Sequence, residues 1–274
     1  AIGFRTLPKD STGVCHIIEH SLLCGSKKYP LKEPFVNLLK SSAATFLNAF
    51  TAYDWTMYPF SSQVPQDFDN VLSIYLDAVF NPLSMKDPKP FLQEGWHLEL
   101  NSKDELPQYK GVVYNEMKGA MSSVDEVLVQ ATLAAMYKDT FYKNNSGGDP
   151  DVIPSLTYEA YKEFYKKHYT PQNAMTYFYG KLDIEEKLKF LDEEYFSKYE
   201  KTDDKITIIP QQPHIDLTFV HLAITNGCTR IFCMVVCTAY PKDDIKQKFF
   251  EWVGVKFDDF ILLDSPNLIE NNKN

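Results

Sequence analysis

Behind Pro65, the apolar residues Phe68, Val71, Leu72, Tyr75, Leu76, Val79 and Phe80 recur at three- and four-residue spacing. That period places all seven on one side of a single long helix. A stripe so broad and so aromatic has to be covered, which predicts a helix packed into a core rather than an isolated amphipathic one.

The partners for that stripe come from short strand-like and helical runs that alternate through the first 200 residues. Residues 45–51 set Phe46, Ala49 and Phe50 among smaller or polar residues and read as a strand, with residues 55–60 pairing back across the Ala52-Tyr53-Asp54 turn. Ser11 or Thr12 is expected to cap a helix that runs through Leu23 and stops near Gly25. Pro34 opens a second helix, with Phe35, Leu38 and Leu39 at helical spacing. Further helices are expected over residues 90–95, over 110–135 with a break at Ser122-Ser123, over 158–168 behind a Thr157 cap, and over 184–195. Residues 96–100 and 176–179 read as short strands, and 144–150 as a loop from its Asn, Gly and Pro content. The fold class is therefore α+β, an antiparallel sheet with packed helices.

Two units are expected. Residues 1–200 form the main domain, whose first strand is incomplete because the chain opens in mid-strand on Ala1-Ile2-Gly3-Phe4-Arg5-Thr6. A polar stretch at 200–205 reads as a linker. Residues 201–274 form a divergent or truncated extension with strand-like runs at 217–224 and 231–237 and a polar tail at 270–274.

Composition narrows the partners. The chain has 28 Lys+Arg against 37 Asp+Glu, a net charge of −9, which argues against nucleic acid or an anionic membrane surface. Its apolar runs are strand-sized, well short of the roughly 20 residues of a membrane span. Five cysteines without framework spacing fit a reducing compartment. Cys228, Cys233 and Cys237 match no zinc spacing and read as strand residues, and His97, His168, His214 and His221 belong to no motif.

The sharp chemical signal is His16-Ile17-Ile18-Glu19-His20. On a helix, residues four apart share a face one turn apart, so both imidazoles can bind one zinc ion. Glu19 flanks that position without having to ligate it, where a carboxylate can accept a proton from a water that the metal activates. The order is the inverse of the more familiar zinc-protease motif. Apolar Val14, Ile17, Ile18, Leu22 and Leu23 predict that the helix is mostly buried, and buried histidines and a buried glutamate need partners. A catalytic zinc has three protein ligands and an open position. Glu94, Glu99, Glu105, Glu116 and Glu126 all remain candidates for the third. Glu116 is attractive because its surroundings, Gly111, Val112, Val113, Met117 and Gly119, predict a buried carboxylate.

The stretch from Gly13 to Pro30 (GVCHIIEHSLLCGSKKYP) resembles the active-site helix of presequence proteases, in the pitrilysin/insulinase group of inverted-motif zinc peptidases. The likeness continues through Thr45-Phe46-Leu47-Asn48-Ala49-Phe50-Thr51, Tyr58-Pro59, Tyr75-Leu76-Asp77-Ala78-Val79-Phe80 and Gln93-Glu94-Gly95-Trp96. It then takes in the run from Lys110 to Gly119 (KGVVYNEMKG) and Ser146-Gly147-Gly148-Asp149-Pro150, in the same order over roughly residues 3–200. The resemblance implies a pitrilysin/insulinase-like peptidase domain, truncated before the second half. It puts the metal ligands on His16, His20 and Glu116 and the general base on Glu19. It implies Zn2+ as cofactor, unstructured peptides such as cleaved mitochondrial presequences as substrates, and the mitochondrial matrix as location, although the chain opens on no targeting peptide. It also implies an edge strand that takes the substrate backbone, with Asn48 and Ala49 as substrate-binding residues. Cys15 stands where these proteases usually have Pro; a small buried hydrophobe is the expected role. The family's second half, which supplies an Arg–Tyr pair to the substrate, has no counterpart here, so a non-catalytic fragment needing that half is the rival reading. A purely structural zinc domain is disfavoured, because such sites are usually Cys-rich and closed by four ligands.

Overall fold

The computed structural model describes residues 1–31, 34–201 and 206–210. Nearly all of the expected second unit, with Cys228, Cys233, Cys237, His214 and His221, lies outside the described residues. In chain order the described elements are β1 (Ile2–Arg5), α1 (Val14–Leu22), α2 (Pro34–Ser41), β2 (Ala44–Leu47), β3 (Phe50–Thr51), β4 (Trp55–Tyr58), β5 (Phe60–Ser62) and α3 (Pro65–Phe80). They continue with α4 (Lys89–Glu94), β6 (His97–Glu99), β7 (Gln108–Lys110), α5 (Val112–Ala120), α6 (Val124–Met136), α7 (Tyr158–His168), β8 (Ala174–Thr176) and α8 (Ile184–Glu194).

The central sheet has four strands in the order β3-β4-β1-β8, and its pairings are antiparallel. Ile2 lies opposite both Tyr58 and Thr176, so β1 is a central strand. Alternation turns Ile2 and Phe4 into the core. There Phe4 stacks on Tyr169 at 4.6 Å and meets Phe80, the last residue of α3, edge-on at 6.0 Å. The α3 stripe is buried as its period requires, through Val71, Leu72, Tyr75, Leu76, Val79 and Phe80, with Phe68 half-buried at the start. The architecture is thus mixed helix and antiparallel sheet, as the sequence pattern implies.

Two expectations near the site are corrected. The first concerns residues 45–51, which do not form one strand. β2 pairs with β5 in a separate two-stranded sheet, β3 pairs with β4, and Asn48-Ala49 is the break between them. Pro59 interrupts the opposite strand at the same level; it has no N–H to donate to a ladder. The Asn48 N–H donates to the Pro59 carbonyl, and the Asn48 side chain accepts from the Ala49 N–H, which satisfies the break locally.

The second concerns the start of α1, which neither Ser11 nor Thr12 caps. The Ser11 hydroxyl accepts from the Asn145 N–H, and Thr12 Oγ1 donates to Asp10. The N-cap residue is Gly13, at φ 69° and ψ 21°. A Cβ there would stand 2.7 Å from the Gly147 carbonyl oxygen and 2.9 Å from Gly148 Cα, so both conformation and space require glycine. The N-terminus of α1 is thereby pressed against the loop 145–148.

Candidate metal centre

α1 is fixed by its buried face and by a hydroxyl chain. Its inner face, Val14, Cys15, Ile17, Ile18 and Leu22, is buried in the core. Ser21 joins a buried hydroxyl chain in which Ser21 Oγ meets Tyr161 OH at 2.5 Å and Tyr161 OH meets Ser84 Oγ at 2.8 Å, tying α1 to α7. Cys15 is fully buried with Sγ 3.9 Å from the Thr6 carbonyl, and burial pushes its thiol up to about 12. It is an inert space-filler.

The half-buried edge of the same helix carries His16 and His20, whose rings lie 4.8 Å apart at 78°. Glu116 reaches them from α5. Its Oε2 is 3.7 Å from His16 Nε2 and 3.8 Å from His20 Nε2. α5 can approach so closely because Gly111, at φ 152°, puts its Cα against the Gly95 carbonyl, where a Cβ would overlap that oxygen. Among the described residues His16, His20 and Glu116 form the one group whose metal-ligating atoms all lie within 4.8 Å of one another.

The tautomers follow from the outer partners. His16 Nδ1 lies 3.1 Å from the Gly147 carbonyl, which can only accept, so Nδ1 carries the proton. His20 Nδ1 lies 3.3 Å from Glu94 Oε2. Burial alone would raise the Glu94 carboxyl, but hydrogen bonds from His20, Gln93 and Cys24 outweigh it and hold the group ionised. Burial likewise lowers His20, while the Glu94 hydrogen bond and the charges of Glu19, Glu94 and Glu116 raise it further and win. With each Nδ1–H committed outward, both Nε2 lone pairs face Glu116.

This donor set fits zinc. Bonds of about 2.1 Å in a tetrahedron place ligand atoms roughly 3.4 Å apart, near the 3.7 Å and 3.8 Å from Glu116 Oε2 to the two Nε2 atoms. Three carboxyl groups surround two imidazoles with no lysine or arginine among the residues that line the cleft, a balance that favours a cation.

The expected site residues fare unevenly. Glu19 is buried beside the pair, 8% exposed, and no donor among the described residues hydrogen-bonds its carboxylate. Glu116 faces both imidazoles but is not buried; its side chain is 55% exposed, because it points across the cleft rather than into the core. Of the rival ligands, Glu94 holds His20 from behind, Glu99 faces Lys110 at 3.8 Å, and Glu126 lines the cleft while accepting from Gln130. Asn48 and Ala49 lie outside any strand but line this cleft, a volume of about 710 Å³ between β3, α1 and α5. The sequence reading missed the roles of Glu94 and Gly147. Glu94 was a candidate ligand; Gly147 offered no signal, since it acts through its backbone oxygen.

An α+β domain whose paired imidazoles sit on an inverted His-x-x-Glu-His helix, met by a carboxylate from a second helix, has the layout of a metallopeptidase domain. A family model described as insulinase, peptidase family M16, matches residues 1–148, and one described as the peptidase M16 inactive domain matches residues 155–248. The chain belongs to the M16 peptidase family.

Among curated relatives, protein HypA of Clostridium perfringens is 53% identical over 73% of this chain and 21% of its own length. Presequence protease 1, chloroplastic/mitochondrial, of Arabidopsis thaliana is 53% identical over 72% of this chain and 18% of its own. Presequence protease, mitochondrial, of Mus musculus is 46% identical over 79% of this chain and 21% of its own. The chain therefore spans about a fifth of the length of the relatives it matches. Among solved structures, pitrilysin superposes at TM-score 0.54 with 18% identity, over 76% of this chain and 22% of that one. The periplasmic protease PqqL of Escherichia coli gives TM-score 0.54 with 17% identity, over 77% and 22%. These two establish the likeness of fold.

Proposed function

We propose that this chain carries the catalytic metal centre of a zinc metalloendopeptidase that degrades unstructured peptides, such as cleaved presequences in the mitochondrial matrix. The observation that carries the reading is the convergence of His16, His20 and Glu116 beside a buried Glu19. The presequence proteases among its relatives support the substrate class and the compartment.

In this reading His16, His20 and Glu116 hold Zn2+. Bound there, zinc supplies Lewis acidity, polarising a peptide carbonyl and bringing the acidity of water toward neutral pH. Gly147 and Glu94 hold the two rings through Nδ1, so that neither imidazole has to rotate to offer Nε2. Glu19 accepts the proton of the attacking water and passes it to the leaving amine. Its carboxylate suits that role because no donor among the described residues already occupies it. The outer edge of β3 adds the substrate backbone as a further strand, and Asn48 and Ala49 line the cleft where side chains project.

Glu19→Gln tests this assignment: zinc content stays at the wild-type level while hydrolysis of a quenched peptide is lost. Zinc loss in step with activity would count against Glu19 as base.

The chain's length relative to its relatives favours a second reading, in which this is a non-catalytic piece until a C-terminal half of the same enzyme joins it. Transition-state contacts from that half would then be missing. Peptide hydrolysis restored only when the remaining portion is added would select this reading over autonomous activity.

A further inference from the structure

A second cavity of about 450 Å³ shares no lining residue with the cleft of the metal centre. Lys9, Lys143, Lys167 and His168 line it, against Asp139 as the one acid among the lining residues. In a chain of net charge −9 this is a local reversal of sign.

Lys9 and Lys167 have no carboxylate partner among the described residues, and Lys143 donates to the Lys138 carbonyl. His168 is 2% exposed, its ring stacked on Phe164 at 3.8 Å. Its Nδ1 lies 2.9 Å from the Phe164 carbonyl, so Nδ1 carries the proton and Nε2 the lone pair. Nε2 has no hydrogen-bond partner among the described residues. A helix C-terminus normally repels anions, but here the His168 carbonyl accepts from Asn173 and the Tyr165 carbonyl from the Tyr169 N–H, so those oxygens are engaged.

We propose that this cavity binds an oxyanion that still carries a proton, hydrogen phosphate or the monoanion of a phosphate monoester. Its P–O–H group donates to His168 Nε2, and its negative oxygens face the lysine ammonium groups. The chemistry selects the protonated anion. A neutral, buried imidazole with only a lone pair to offer gains nothing from sulfate, which has no hydrogen to donate at neutral pH. Burial and the Lys167 and Lys9 charges together hold the His168 imidazole down at about 4, so it stays an acceptor.

The test is a titration of the full chain with inorganic phosphate at constant ionic strength near pH 6.5, following histidine ring resonances by NMR. The expected result is saturable movement of one ring signal that is absent from His168→Gln. Sulfate should bind about tenfold or more weakly, the worth of one lost hydrogen bond. Lys9→Ala with Lys167→Ala should weaken phosphate by at least about the same factor. Both lysines are exposed, so that double variant keeps the test decisive if His168→Gln fails to fold. Glycerol phosphate competing for the same signal would assign a monoester; phosphate binding without such competition would assign the free ion. Equal response to phosphate and sulfate, no saturation, or full binding by the double lysine variant would overturn the proposal.

Discussion

Gly13→Ala is the substitution through which the fold and the metal centre can be tested together. Gly13 begins α1 in the left-handed region, where a side chain costs roughly 1–2 kcal/mol. The added Cβ would stand 2.7 Å and 2.9 Å from backbone atoms of Gly147 and Gly148, neither of which can swing aside like a side chain. To reach ordinary van der Waals separation the loop must retreat by roughly half an ångström or more. His16 Nδ1 meets the Gly147 carbonyl at 3.1 Å, so a retreat of that size takes the pair beyond hydrogen-bond range. Losing that bond adds about 1 kcal/mol, for a total of about 2–3 kcal/mol. Zinc affinity should fall by roughly 10- to 100-fold, the usual effect of removing an outer partner of a ligating histidine. Gly119→Ala is the control: Gly119 lies exposed in α5 with nothing near its would-be Cβ, and alanine should stabilise the helix by up to about 1 kcal/mol. Urea denaturation followed by circular dichroism gives the stabilities, and competition with a chromophoric chelator gives the zinc affinities. If Gly13→Ala matched wild type in both, the loop would not be positioning His16.

Glu94→Gln keeps the shape beside His20 but removes the charge; zinc affinity in the same competition assay should drop about 10- to 100-fold with the fold intact, and an unchanged affinity would remove Glu94 from the account. The buried His168 sets an acid limit on stability. Its folded pKa of about 4 is depressed from an ordinary 6.5, so the unfolded chain binds the extra proton first. Stability is then full above about pH 6.5 and declines as pH falls toward 4, by about 2 kcal/mol at pH 5 and about 3 kcal/mol at pH 4 from this group. Denaturant midpoints across that range should show the decline in phosphate-free buffer, and His168→Gln should lack that share of it; equal slopes in the two proteins would refute the assignment.

What could be read from the sequence was whatever period and chemistry encode locally. The α3 stripe, the α5–α6 break at Ser122-Ser123, the Thr157 cap, which accepts from the Ala160 N–H, and the helix carrying His16 and His20 all follow from spacing. Nonlocal facts were not so encoded. The start of α1 looked like a Ser or Thr cap because hydroxyls there usually serve that role; loop 144–150 and Asp10 claimed them instead. The break at Asn48-Ala49 depends on Pro59 in the opposing strand, which a reading of residues 45–51 alone does not weigh. Glu116 was expected to be buried from its apolar neighbours, yet a helix has two sides: Val113 and Met117 go inward and Glu116 faces the cleft. α6 makes the same point more strongly. It is rich in valine, leucine and alanine, yet none of its residues is buried, and Val124, Val127, Leu128 and Val129 are exposed. Apolar composition identifies a helix that prefers cover without saying what supplies it.

The central claim is that His16, His20 and Glu116 share one divalent ion. Zinc stoichiometry measured on purified wild type, His16→Ala, His20→Ala, Glu116→Ala and Glu126→Ala tests it most directly. One zinc per chain in wild type and in Glu126→Ala, with weak or absent zinc in the other three, is the predicted result. A Glu116→Ala protein that holds zinc as tightly as wild type would contradict it.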